Sequence, residues 1–157
     1  MTYLIDGHNL IPYVPGLSLA DLDDEQELIK LLSAFSQARR CQIEVYFDKG
    51  QAGRNRETTL SRMKVHFTLP PVKADDALIT RLLGIGRAAR NYTVVTSDRE
   101  VQSRARQLGA ALMSSHEFTG LLTNVISKKK TQNSIKKEKE NDIDSWLELF
   151  SKGKEED

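Results

Sequence analysis

Hydrophobic and polar positions along the 157-residue chain alternate between two kinds of pattern. Short runs of β-branched and aromatic residues, bounded by turn formers, read as buried strands. Tyr3-Leu4-Ile5 runs into Asp6, Ile43-Glu44-Val45-Tyr46-Phe47 into Asp48, and Tyr92-Thr93-Val94-Val95-Thr96-Ser97 into Asp98. Residues 63–69 alternate loosely and predict a further strand that Pro70-Pro71 terminates, since proline supplies no ladder donor. Residues 110–113 predict a short fifth strand.

Between these runs the period changes to that of helices. Leu28, Leu31, Leu32 and Phe35 share one helical face, with acids in front and Arg39 and Arg40 at the end, as the helix dipole favours. Ala74-Asp75-Asp76-Ala77 opens a helix through Leu78, Leu82 and Ile85, with Asp75 placed as its N-cap. Ser97-x-x-Glu100 and Ser114-x-x-Glu117 have the form of capping boxes for two more helices, the first stopped by Gly109 and the second carrying Phe118, Leu121, Leu122 and Val125. The alternation predicts an α/β fold with a mainly parallel five-stranded sheet between helices. Its expected extent is residues 1–126. Residues 127–141 form a lysine-rich linker or helical extension, and 142–157 a short amphipathic helix and tail on Ile143, Trp146, Leu147 and Phe150.

Composition narrows the classes. With 29% charged and 39% hydrophobic residues the chain reads as soluble, and nothing in it is long and apolar enough to span a membrane. The amino-terminal stretch reads as a strand, without the regions of a signal peptide. A single cysteine, Cys41, permits no intrachain disulfide and no cysteine-rich zinc site, so a cytoplasmic location is expected. The net charge of +1 hides a local bias: residues 49–73 hold six lysines and arginines against one acid, Glu57. No phosphate-binding P-loop, dinucleotide fingerprint or nucleophile elbow occurs, and the histidines, His8 included, make no metal triad.

The chemistry resides in the acids. Parallel strands bring their carboxyl ends to one edge, where open α/β sheets keep their sites. Asp6, Asp48 and Asp98 would gather there, with the start of the Asp75 helix in reach. One aspartate after a strand is commonly only a turn or cap residue. Several at one edge raise one another's pKa and are tolerated best around a cation, so the cluster reads as a divalent-metal site. Asn9 suits a turn, or the orienting of Asp6, a phosphate or a water.

Leu4-Ile5-Asp6-Gly7-His8-Asn9-Leu10, Val45-Tyr46-Phe47-Asp48, Ala74-Asp75-Asp76-Ala77 and Val94-Val95-Thr96-Ser97-Asp98-Arg99-Glu100, in that order, resemble the YacP-like branch of the NYN family, within the PIN-like nucleases. Asp144-Ser145-Trp146-Leu147-Glu148-Leu149-Phe150 is similar to that branch's closing element. The resemblance implies a three-layer α/β/α nuclease that holds Mg²⁺ or Mn²⁺ and cuts RNA endonucleolytically, with water as nucleophile and a 5′-phosphate on the product. It implies Asp6, Asp75, Asp76 and Asp98 as catalytic metal ligands, with Asp48 placed beside them by its strand end. The region 49–73 departs from anything the family fixes. Lys49, Arg54, Arg56, Lys73 and Arg99, with Asn9, are the candidates for gripping RNA, chosen by charge and proximity. RNA is thus the expected partner, with the ribosome or a ribosome-bound RNA as a candidate. Two other classes fit the residues: an RNA- or ribosome-binding module with a vestigial site, and, less well, a phosphatase. The latter wants a second acid two residues beyond the first, where this chain has His8.

Overall fold

A computed structural model describes residues 1–17, 23–48 and 57–136, with side chains to residue 128. The chain divides into two units, residues 1–122 and 123–157. In the first unit the elements run β1 (Thr2–Asp6), α1 (Gly7–Leu10), a 3-10 turn (Ile11–Tyr13), α2 (Asp24–Arg39) and β2 (Gln42–Phe47). There follow β3 (Glu57–Leu60), β4 (Met63–Phe67), α3 (Ala74–Ile85), a 3-10 segment (Gly86–Asn91) and β5 (Tyr92–Val95). α4 (Arg99–Gln107), β6 (Ala111–Met113) and α5 (Ser115–Lys136) complete the order, α5 running on into the second unit.

The strands form one sheet in the order β3-β4-β2-β1-β5-β6, parallel except for β3. β1 is central, with Leu4 in register with Glu44 of β2 and Val94 of β5. A strand flanked on both sides and covered on both faces must be apolar throughout, which is why Tyr3-Leu4-Ile5 is continuous. Leu4 and Tyr46 pack with Leu78, Ile79 and Leu82 of α3 and Val101 and Ala105 of α4. On the other face Tyr3 meets Phe35 of α2 and Phe118 of α5 edge-on, at ring separations of 6.0 and 5.4 Å. The three-layer α/β/α arrangement is therefore present.

Two expectations change. The sheet has six strands, not five, because Glu57–Leu60 pairs antiparallel with β4 through a tight turn at Ser61 and Arg62. β3 is an edge strand exposed along its whole length, so no apolar alternation marks it. Asp98 is also not at a strand end: β5 stops at Val95, and Asp98 stands three residues further on. The predicted helix on Ile143 to Phe150 lies outside the described residues.

Candidate functional site

β1 lies where the chain order reverses: α2 leads from it to β2 on one side, and α3 leads across to β5 on the other. Ligands of open α/β sheets bind in the crevice at such a reversal, outside the carboxyl ends of the strands. Asp6, the last residue of β1, stands at that point, in register with Tyr46. The next residue enters α1 directly, and its lack of a side chain is required. A Cβ on Gly7 would penetrate the ring of Phe47, which itself stacks on Phe67 and meets His8 edge-on. Gly7→Ala is therefore expected to destabilise the fold by about 1–3 kcal/mol through overpacking. Urea unfolding checks this, and an unchanged midpoint would mean that the Phe47 ring gives way freely.

Burial raises the Asp6 carboxyl from 3.8 to about 6. The Asn9 amide pulls it down, and the neighbouring carboxylates of Asp75 and Asp48 push it up again, while His8 lowers it. The carboxylates of Asp75 and Asp48 thus both lie near Asp6. Asp75, in the first turn of α3, accepts from the Asp76 N–H through Oδ1 at 2.8 Å. Asp48 has a second task. Its Oδ1 accepts the Ala74 N–H at 2.7 Å, so the start of α3 is capped by a side chain from β2's end rather than by Asp75. The N-cap position is held by Lys73 in extended conformation.

Asp98 and Asp76 stand differently. Asp98 is the N-cap of α4, its Oδ1 accepting from Glu100 N and Val101 N at 2.9 and 3.3 Å. The Ser97 box expected there does not form, because Ser97 Oγ accepts the Ser115 N–H at 3.1 Å instead. The Ser114 box does cap α5, Ser114 Oγ accepting from Glu117 N at 3.0 Å. Asp76 pairs with Arg104 of α4 at 3.1 Å, both groups being largely exposed. Such exposed pairs contribute little and are easily exchanged.

Asn9 braces the crevice from behind. Its Oδ1 accepts from Ser97 N at 2.8 Å and from Ser115 Oγ at 2.7 Å, tying the end of β1 to the β5–α4 loop and the start of α5. Lys73 and Arg99 are exposed at the starts of α3 and α4, on the same edge. Lys49, Arg54 and Arg56 lie outside the described residues.

Two participants, Glu25 and Arg104, carried no signal in the sequence. His8 sits on the α1 turn. Its Nδ1 accepts the Asp48 N–H at 3.2 Å, which leaves the proton on Nε2 to be donated to Glu25 at 2.7 Å. The imidazole thereby locks the Asp48 backbone against the first turn of α2. Glu25 is 17 residues away and Arg104 lies 28 from Asp76, so no local pattern announces either.

Among the described residues no group of three or more His, Cys, Asp or Glu side chains is drawn close enough to hold a metal ion as it stands. The donor set nevertheless fits one. Asp6, Asp48 and Asp75 offer only carboxylate oxygens, the ligands of hard divalent cations, and their mutual repulsion is what such a cation would relieve.

A mainly parallel α/β sheet with several carboxylates near its switch point has the form of a nuclease-like α/β domain. The chain belongs to the YacP-like NYN domain family, whose model matches residues 3–154. Its fold is similar to the crystal structure of Rae1 (YacP) from Bacillus subtilis, with a TM-score of 0.75 and 22% identity over 99% of this chain and 92% of that one. A tryptophan-to-leucine mutant of the same Bacillus subtilis protein gives a TM-score of 0.70 and 22% identity, over 88% of this chain and 84% of that one. Comparison with curated protein sequences finds no match. No helix among the described residues is long and apolar enough to cross a membrane.

Proposed function

We propose that this chain is a metal-dependent endoribonuclease that hydrolyses RNA phosphodiester bonds at the crevice beside β1. The observation that carries the reading is Asp6, a half-buried carboxyl held up near 6 with Asp75 and Asp48 pushing on it. A phosphodiester repels nucleophiles by its own charge, and a bound Mg²⁺ or Mn²⁺ would neutralise that charge and lower the pKa of a water. Asp6 and Asp75 would hold the ion, with Asp48 joining through the oxygen that does not cap α3. Asp98 and Asp76 would contribute through the oxygens left by the α4 cap and by Arg104.

The remaining parts orient and grip. His8 and Asn9 fix the two sides of the crevice. Lys73 and Arg99 would take backbone phosphates on the flanking helices, and Lys49, Arg54 and Arg56, which follow β2 in the sequence, would add charge. RNA is the substrate class that the family membership supports, and the ribosome is a candidate for presenting it. The second reading, a binding module with a vestigial site, is favoured by the engagement of Asp98 as a helix cap and of Asp76 with Arg104. Incubating labelled RNA with and without Mn²⁺ separates the two on a gel. Fragments only with metal support the nuclease, whereas retarded but intact RNA supports the module.

A further inference from the structure

A second polar site lies on the same sheet face, at the opposite end of the strands. α3 and α4 cover this face over β1, β2 and β5, where Leu4, Tyr46 and Val94 are sealed. On this face Thr59 of β3 and Lys64 of β4, beyond them, stay exposed. Register puts Lys64 beside Glu44 on one side and Thr59 on the other, so these three share one row across the sheet. They line a cavity of about 270 Å³ together with Ser61, Arg62 and Arg81. That is several times the roughly 30 Å³ a water occupies in the liquid.

The charge balance in this cavity is cationic. Its carboxylate, Glu44, is nearly buried and already engaged at both oxygens: Arg81 donates from Nε at 3.0 Å and Nη2 at 3.3 Å, and Tyr46 OH donates to Oε1 at 3.2 Å. Glu44 therefore neutralises one arginine and has little left to repel an anion. Arg62 and Lys64 have no ion-pair partner among the described residues. The hydroxyls of Thr59 and Ser61 and the unused N–H groups of Arg81 add donors. The wall is also held in place. Ser61 adopts a left-handed φ of 55° in the β3–β4 turn, and the Arg62 carbonyl accepts the Ile43 N–H at 3.1 Å.

We propose that this cavity between β2, the β3–β4 hairpin and Arg81 binds a phosphate group. A cluster of cations and hydroxyls around one arginine-paired carboxylate suits a tetrahedral oxyanion better than a neutral ligand or a cation. The phosphate has two possible sources. One is the backbone of the RNA chain, since Asp48 lies four residue steps beyond Glu44, about 13 Å along the strand direction. That source rests on the nuclease reading. The other is a free phosphomonoester, which does not.

The test uses the full chain and the double variant Arg62→Gln/Lys64→Gln, both exposed positions with no role in packing, with circular dichroism to confirm the fold. Without divalent metal, so that no cleavage occurs, fluorescence anisotropy follows binding of a short single-stranded RNA across a salt series. Thermal melting follows the response to inorganic phosphate. For the RNA source, the double variant binds roughly tenfold more weakly at low salt and the slope of log K against log salt falls by about 1.4. For the free source, RNA binding is unchanged, but phosphate raises the melting temperature of the natural chain and not of the variant. If both responses are the same in the two proteins, or absent from both, the phosphate site is refuted. Metal-free binding is read independently of cleavage, so a failure here leaves the nuclease reading standing, and the reverse.

Discussion

Asp6→Asn is expected to abolish Mn²⁺-dependent RNA cleavage and, without metal, to raise the melting temperature near neutral pH. The second effect has a definite pH sign. The folded carboxyl titrates at about 6 against 3.8 for the free group, so the native state holds this proton more tightly than the unfolded chain does. Stability from this group is then greatest below about pH 4 and declines as pH rises to about 6. Above that, ionised Asp6 costs about 3 kcal/mol. Asparagine keeps the shape and removes the charge. At about pH 8 it should recover part of that cost, roughly 2–6 °C for a chain of this size, and near pH 4 the gain should vanish. A variant that cleaves RNA normally, or whose gain is the same at both pH values, would remove Asp6 from the role given to it.

The largest loss of stability is expected from Arg81→Met. It leaves the Glu44 carboxylate, with a side chain only 8% exposed, in contact with Tyr46 OH and without its guanidinium. Breaking one half of a buried pair usually costs 3–5 kcal/mol. Arg81 itself is 42% exposed, so water can reach the vacated side and about 2–3 kcal/mol is the fairer figure here. The double variant Glu44→Leu/Arg81→Met should recover most of this, because Leu4 and Tyr46 already supply apolar neighbours. Denaturant unfolding of the set checks the argument. A single variant as stable as the natural chain would mean that the Glu44 pocket is far wetter than its burial indicates.

The order of these elements was largely legible because burial leaves a mark on a strand. β1, β2 and β5 are flanked on both sides, and their apolar runs could be read at sight, as could the helical stripe of α2. β3 escaped because an edge strand in water needs no apolar face. Its only local sign was the β-branched pair Thr58-Thr59. Helix starts were read less well, since the side chain that caps a helix need not be near in sequence. Asp48 caps α3 from 26 residues away, and Ser97 serves α5 rather than α4.

The same distinction divides the candidate site. Strand-end position was enough to bring Asp6 and Asp48 to one edge, and the first-turn position of Asp75 placed it opposite them. Asp98 has the same appearance in the sequence but a different task, because two extra residues after β5 turn it into the α4 cap. Asp76 meets Arg104, a residue whose proximity depends on how α3 and α4 pack. The bond between His8 and Glu25 could not be foreseen, since it spans the turn from β1 to α2.

A crystal soaked with Mn²⁺ and measured for anomalous scattering tests the convergence of carboxylates most directly. The account predicts a peak at about 2.1 Å from an Asp6 carboxylate oxygen, shared with Asp75 or Asp48. A protein that yields no peak at Asp6, or one that carries the ion elsewhere on its surface, would contradict it.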